Sequence, residues 1–148
     1  MSTILIKNAT LINEGSQKVQ DVFIVDQFIQ AIGVNLDYKA DQIIDATGKH
    51  LIPGLIDDQV HFREPGITHK ATIASESRAA VAGGITSFIE MPNTNPQTTD
   101  IEALENKFKR AGETSLANYS FMFGGTNDNI AEIRKLDKTK VAGLKLFL

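Results

Sequence analysis

The sequence contains no cysteine and no tryptophan, and only 7% of its 148 residues are aromatic. Without cysteine it has neither a disulfide framework nor a thiolate metal site, so metal ligands must come from histidine, carboxylate or less usual side chains. No apolar run approaches the roughly 18 residues of a membrane span, and the first residues lack the basic-then-apolar pattern of a signal peptide. We therefore expect a soluble cytoplasmic protein that does not bind membranes.

The sequence also lacks an excess of positive charge. It has 15 lysines and arginines and 18 aspartates and glutamates, which gives a net charge of −3. Nucleic-acid-binding domains carry a basic patch or stripe, so we expect no nucleic-acid partner. The hydrophobic share of 42% is sufficient for an ordinary globular fold.

The first 52 residues have a β pattern. Residues 3–12 and 21–33 are short runs rich in isoleucine and valine, separated by turn-forming residues. A third run covers Gln42–Asp45, and no helical periodicity precedes residue 69. We predict that residues 1–52 form a small all-β, sandwich-like unit, which at about 50 residues is too small to be very stable alone.

From residue 53 onward, strands alternate with helices. After an opening strand the pattern predicts a helix over 71–82, a strand over 85–91, a helix begun by a capping box at 99–102, a strand over 117–123, a short helix around 130–136 and a strand over 141–148. This alternation predicts parallel strands joined by right-handed helical crossovers. It fits either an open doubly wound sheet or a (β/α)8 TIM-type barrel.

The barrel is favoured by two observations. No G-x-G-x-x-G motif or P-loop follows a strand, and polar residues cluster at the carboxyl ends of strands, where barrel sites are built. We predict an α/β protein in which residues 53–148 are the first part of a (β/α)8 barrel. Four strands cannot close a barrel of about 250 residues. Since the sequence ends within the apolar run 143–148, we expect a fragment.

The stretch 53–66, PGLIDDQVHFREPG, is the most informative. If it is a strand, alternation puts a polar set on one face and an apolar set on the other. The polar set is Asp57, Gln59, His61 and Arg63, and the apolar set is Ile56, Val60 and Phe62. Such a segment suits a strand whose polar end opens into a pocket. A lone histidine is more often structural, but these neighbours favour a functional His61, whereas we expect structural or exposed positions for His50 and His69.

Three further residues have a possible binding function. The planar fork of Arg63 suits bidentate capture of a carboxylate. Asn93 follows the second barrel strand, where it is either a turn former or an amide donor beside Arg63. Lys145 shares a strand face with Gly143 and Phe147. If the leucines on the other face pack on helices, Lys145 points inward and must be neutralised, paired or modified, because burying an ammonium group is costly.

Four ordered motifs, at 53–66, 80–86, 91–94 and 143–147, resemble the amino-terminal part of dihydroorotases, cyclic amide hydrolases of the amidohydrolase superfamily. The resemblance covers essentially the whole chain. It implies reversible hydrolysis of dihydroorotate to N-carbamoyl-L-aspartate in pyrimidine biosynthesis. It also implies one or two divalent metal ions, with zinc as the expected metal. The partner is then a small molecule bearing a carboxylate, and a homodimer is the assembly to test.

The resemblance also implies functions for individual residues. His61 resembles the second metal-binding histidine of the family motif, and Arg63 and Asn93 resemble the residues that bind the substrate carboxylate. Lys145 resembles the catalytic lysine that is carboxylated to bridge two metal ions. The later histidines and the acid/base carboxylate of the family would lie beyond Leu148, so we expect the chain alone to be inactive.

Gln59 departs from the family motif, which has a histidine there. A neutral amide oxygen is a much weaker zinc ligand than imidazole. Either the metals are held with one nitrogen fewer, or one metal site is weakened, or catalysis is lost. We favour an active variant, because the substrate-binding motif is intact. The alternatives are an allantoinase-like or dihydropyrimidinase-like hydrolase, and a non-catalytic homologue that assembles with another pyrimidine enzyme such as the transcarbamoylase.

Overall fold

The structure is a computed structural model that describes residues 1–147. Its elements are β1 (Thr3–Asn13), β2 (Ser16–Val25), β3 (Phe28–Gly33), β4 (Gln42–Asp45), β5 (His50–Leu51), β6 (Leu55–Val60), α1 (Ile73–Ala82), β7 (Ile85–Glu90), α2 (Ile101–Thr114), β8 (Asn118–Gly124), α3 (Ile130–Ile133) and β9 (Gly143–Lys145). They form two compact units, Met1–Pro53 and Gly54–Leu148. The last residue of the predicted final strand, Leu148, lies outside the described residues.

The first unit is a mixed five-stranded sheet. Its strand order is β3-β2-β1-β4, and β5 also pairs with β1. The pairs β1–β2 and β2–β3 are antiparallel, while β4 and β5 run parallel to β1. The predicted single run 21–33 is in fact the end of β2, a tight turn and β3. Asp26 allows this turn with a φ of +52°, a left-handed conformation that aspartate tolerates better than most residues.

A buried carboxylate supports an irregularity in this sheet. The register of β1 against β2 shifts between Ile6 and Ala9, and Asn8 between them has a φ of +60°. The N–H of Asn8 donates to Asp21 Oδ1 at 2.8 Å, and the N–H of Leu36 donates to Asp21 Oδ2 at 3.0 Å. Asp21 thus supplies the acceptors that two backbone amides do not find in the sheet.

The second unit has four parallel strands in the order β6-β7-β8-β9. This order follows the sequence, whereas a doubly wound sheet reverses its strand order at a switch point. The core is mainly aromatic, and its buried members are Phe62, Ile73, Phe88, Leu104, Ala111, Ala117, Phe121 and Phe123. Sequential winding around such a core is the arrangement of a (β/α)8 barrel.

The helix ends are set by local hydrogen bonds. Helix α1 begins after Thr72, which forms a capping box with Ser75, and it ends at Gly83 before Gly84, whose φ is +88°. Its predicted end is therefore confirmed. The predicted capping box at 99–102 is wrong by one residue, because the carboxylate of Asp100 accepts the Ala103 N–H at 2.7 Å and so caps helix α2.

An ion pair joins α2 to the segment before β9. Glu105 Oε1 lies 3.6 Å from Lys140 Nζ. Both partners are exposed, so we expect this contact to contribute little to stability. No helix in residues 1–147 combines the length and the apolar character needed to cross a membrane.

Candidate active site

The polar stretch after β6 does not continue as a strand. β6 ends at Val60, and its register against β7 is irregular between Asp57 and Val60. Within this irregularity the Gln59 N–H donates to Asp57 Oδ1 at 3.1 Å. The predicted alternation of residues 57, 59, 61 and 63 on one face is therefore wrong. Ile56, predicted to lie on a packed face, is 70% exposed.

Arg63 has an unusual backbone conformation. Its φ is +69°, in the left-handed region that costs a bulky residue on the order of 1–3 kcal/mol. The Arg63 carbonyl accepts the Ile67 N–H at 3.0 Å, which closes the following turn. Arg63 is half-buried, and within residues 1–147 its guanidinium has no hydrogen bond and no ion pair. Such strained residues concentrate at binding sites, where the surrounding structure holds them.

His61 and Asn93 meet directly. The Nδ1–H of His61 donates to Asn93 Oδ1 at 2.8 Å. Since one ring nitrogen is then protonated, the neutral imidazole keeps a lone pair on Nε2, the form in which histidine binds metals. The same bond orients Asn93, so that its NH2 group is left to donate to a ligand.

The loop that carries Asn93 is held against the loop after β6. The Asn95 N–H donates to the Pro65 carbonyl at 3.1 Å. Gly66 has a φ of +81° and lies so close that a Cβ there would overlap the Asn95 carbonyl oxygen. Within the second loop, the N–H groups of Thr94 and Thr98 both donate to the Pro92 carbonyl at 2.9 Å. The two loops therefore form one connected surface.

A cavity of about 550 Å³ opens at the carboxyl ends of β7, β8 and β9. It is lined by Asn93, Gln97, Gly125, Thr126, Asn127, Leu146 and Phe147. The Gly125 N–H donates to the Lys145 carbonyl at 3.0 Å, which ties two of these strand ends together. Barrel active sites are built at this edge of the sheet. We therefore take this cavity and the adjoining His61 as the candidate active site.

Lys145 is linked to the cavity through the ring of Phe147. It is half-buried in β9, and its Nζ lies 5.7 Å from the centre of the Phe147 ring, which lines the cavity. The condition set for an inward Lys145, a leucine face packed on helices, is not met in this structure, because Leu144 and Leu146 are exposed. The described contacts thus join His61 directly to Asn93, and Lys145 to Phe147, while Arg63 contacts none of them by hydrogen bond or ion pair.

The side chains near the cavity supply only part of a metal site. Within residues 1–147 no three histidine, cysteine, aspartate or glutamate side chains are grouped as metal ligands. His61 Nε2 has the required lone pair, and Lys145 would add oxygen donors only as a carbamate. Gln59 is exposed on the irregular part of β6. His50 and His69 are also exposed.

The sequence patterns missed a buried ion pair at the start of the loop that carries Asn93. Lys107 Nζ lies 2.7 Å from Oε2 of Glu90, and each side chain is only 1% exposed. Burial raises the pKa of the Glu90 carboxyl and lowers the pKa of the Lys107 ammonium, and the attraction between them opposes both shifts. One signal was available: Lys107 lies three residues after Leu104 and four before Ala111, on the buried side of α2.

The sequence profile of the dihydro-orotase-like family matches residues 48–145. The chain belongs to this family, within the amidohydrolase superfamily, and the predicted resemblance is confirmed. An allantoinase of Salmonella choleraesuis (strain SC-B67) is 38% identical over 146 residues, covering 98% of this chain and 32% of that protein. An allantoinase of Salmonella newport (strain SL254) gives the same identity and coverage.

Solved structures of related proteins share the fold. The L-hydantoinase (dihydropyrimidinase) from Arthrobacter aurescens is 32% identical with a TM-score of 0.90, over 97% of this chain and 32% of that one. The D-hydantoinase (dihydropyrimidinase) from Thermus sp. is 30% identical with a TM-score of 0.74, over 89% of this chain and 30% of that one. The predicted fold class is confirmed. The chain spans about a third of the length of these relatives.

Proposed function

We propose that the protein hydrolyses a cyclic amide, and that its substrate is dihydroorotate, converted reversibly to N-carbamoyl-L-aspartate in pyrimidine biosynthesis. Membership of the dihydro-orotase-like family supports the reaction class. The observation that carries the proposal is the bond from His61 to Asn93 beside a cavity at the carboxyl ends of the strands. A cytoplasmic location and a homodimer remain predictions.

The substrate carboxylate explains two donors of the site. The Arg63 guanidinium presents a planar pair of N–H groups and has no competing carboxylate within residues 1–147. Asn93 lines the cavity and keeps its NH2 donors, because its oxygen accepts from His61. Together they would orient a planar carboxylate and convert binding energy into alignment of the ring amide.

The protein's own residues also suggest where a metal would bind. His61 Nε2 and a carboxylated Lys145 would be ligands, and Gln59 would be a weak one at best. A bound divalent ion, first of all zinc, would lower the pKa of a water molecule and polarise the amide carbonyl. A carbamate on Lys145 would turn a cation into an anionic ligand. Asn93 would hold His61 in the tautomer that leaves Nε2 free.

A second candidate function is hydrolysis of allantoin or a hydantoin. It is favoured by the relatives called allantoinase and hydantoinase, which include the 38% identical Salmonella protein. A third candidate, a non-catalytic assembly partner, is favoured by Gln59 in place of the motif histidine. The three candidate functions differ in the metal that the protein should bind and in the substrate that it should hydrolyse, so one experiment separates them.

The test is to purify the intact protein, measure its metal content and assay it with dihydroorotate, allantoin and a 5-substituted hydantoin. We expect bound divalent metal and the highest kcat/KM for dihydroorotate. A higher kcat/KM for allantoin or the hydantoin would contradict the proposed substrate and support the second candidate function. A folded protein with neither metal nor turnover would select the assembly partner.

Arg63→Lys tests the carboxylate site directly. A lysine keeps the charge but loses the two-pronged fork, so we expect KM for dihydroorotate to rise about tenfold or more, with a smaller change in kcat. The matched control is Arg78→Lys on the exposed side of α1, which should leave both constants unchanged. An unchanged KM in the Arg63 variant would contradict its binding function.

A further inference from the structure

The buried pair Glu90–Lys107 lies where the two site loops begin. Glu90 is the last residue of β7 and directly precedes the loop 91–98, which carries Asn93. Lys107 comes from the buried side of α2, and besides its 2.7 Å contact with Glu90 it donates to the Met91 carbonyl at 3.2 Å. The ammonium group therefore binds the first peptide of the loop that carries Asn93.

The same pair reaches the loop that carries His61. Glu90 is the register partner of Val60, and the Met91 N–H donates to the Val60 carbonyl at 3.0 Å. The backbone amides of Phe62 and Arg63 face the Glu90 carboxylate closely enough to oppose the rise of its pKa. Within residues 1–147 neither oxygen of the Glu90 carboxylate has a hydrogen bond of ordinary geometry. The contact with Lys107 is therefore the main interaction that offsets the cost of burying this charge.

Stability alone is a weak explanation for this pair. Removing two charges from water costs much of what their attraction returns, and apolar side chains of similar volume often stabilise a core as well. Apolar packing is available here, because Lys107 Nζ already lies 4.9 Å from the centre of the Phe121 ring. What an apolar pair could not supply is a donor for the Met91 carbonyl and a charge facing the Phe62 and Arg63 amides.

We propose that Glu90 and Lys107 are positioning residues that hold the two loops in the relative placement at which His61 Nδ1–H meets Asn93 Oδ1. They line no part of the cavity and act only through those two side chains. The significance for catalysis rests on the proposed function. The structural claim does not, because the tautomer of His61 exists without substrate or metal.

The test reads that tautomer by ¹⁵N NMR of the imidazole at a pH where His61 is neutral, and the chain's three histidines make assignment simple. We expect the Nδ1–H form in the unchanged protein and a mixture with the Nε2–H form in Lys107→Met and in Glu90→Gln/Lys107→Met. The double variant removes both charges and so avoids an unpaired buried carboxylate. Lys109→Met, on the exposed side of α2, is the control and should keep the Nδ1–H form.

Affinity for added Zn²⁺ is the second readout. Loss of a group that orients a metal-binding histidine typically costs 10–100-fold in metal affinity, and we expect a loss of at least about tenfold in the double variant. An unchanged tautomer in a folded variant would overturn the proposal, even if its melting temperature fell. Failure of both variants to fold would assign the pair to overall stability and would overturn it too.

These outcomes are separable from those of the proposed function. If the protein turns over no cyclic amide but the variants shift the His61 tautomer, the positioning claim stands and the proposed activity fails. If turnover is normal and the tautomer does not move, only the positioning claim fails.

Discussion

The two compact units bury their apolar side chains to different extents. In the unit from Gly54 onward, helices α1 and α2 pack on the parallel strands, and Phe88, Phe121 and Phe123 are almost completely buried. In the unit Met1–Pro53, which has no helix, Phe28 and Ile29 of β3 are each 65% exposed. Helices that connect the strands of a sheet also pack on its apolar face, and the unit Met1–Pro53 has no such helices of its own.

The units also differ in how they treat buried charge. In the first, the carboxylate of Asp21 accepts from two backbone amides, and its only ion-pair partner within residues 1–147 is the partly exposed Lys7, whose Nζ lies 3.8 Å from Oδ2. In the second, Glu90 and Lys107 form a pair at the base of the loops that carry His61 and Asn93. We conclude that the first arrangement repairs an irregular sheet, and we propose that the second serves a site.

The largest expected difference between the units concerns their aromatic residues. Phe121 is fully buried and packs edge-on against Phe108 at 4.9 Å between ring centres. Phe121→Ala should lower the free energy of unfolding by about 3–5 kcal/mol, through lost transfer energy and a residual cavity. The control Phe28→Ala should change it by about 0.5 kcal/mol or less. Denaturant unfolding measures both, and equal losses would contradict the proposed contrast between the cores.

A smaller effect is expected at the buried carboxylate of the first unit. Asp21→Ala leaves the Asn8 and Leu36 amides without acceptors, and we expect a loss of about 2–3 kcal/mol. The exposed Asp37→Ala is the matched control and should be close to neutral. Hydrogen exchange should show faster opening of β1 and β2 in the Asp21 variant. Unchanged exchange there would mean that water replaces the lost acceptors.

The smallest expected effect is an acid-dependent one in the first unit. Hydrogen bonds from the Thr3 hydroxyl and N–H hold the pKa of the Asp41 carboxyl below its usual value of 3.8. The unfolded chain then binds more protons than the folded one in this range, so the stabilisation is present above about pH 3.8 and is lost as the pH falls through the folded pKa.

Asp41→Asn should therefore reduce the loss of stability on acidification below about pH 3.8, as thermal unfolding would measure. Thr3→Ala removes the hydroxyl donor and should act in the same direction. If both variants lose stability on acidification as steeply as the unchanged protein, the contact does not influence folding.

Local patterns predicted much of the fold. The strand and helix order from residue 53 onward and the end of α1 at Gly83 depend on hydrophobic periodicity and on residues next to one another, and they were predicted correctly. The alternation of residues 57, 59, 61 and 63 was not, because the irregular pairing of β6 and the left-handed Arg63 depend on neighbouring strands and loops. The expected capping box failed for a smaller reason, since Asp100 competes with Thr99 for the same helix start.

By itself the sequence determined the class of fold, the family and the identity of the candidate residues, because periodicity and motifs are properties of residues close together in the chain. Only the tertiary structure decided that the imidazole of His61 meets the amide of Asn93, 32 positions away, and that Glu90 at the end of β7 forms a buried ion pair with Lys107 of α2. Contacts of this kind depend on strand register and helix placement, and these are set when distant segments pack together.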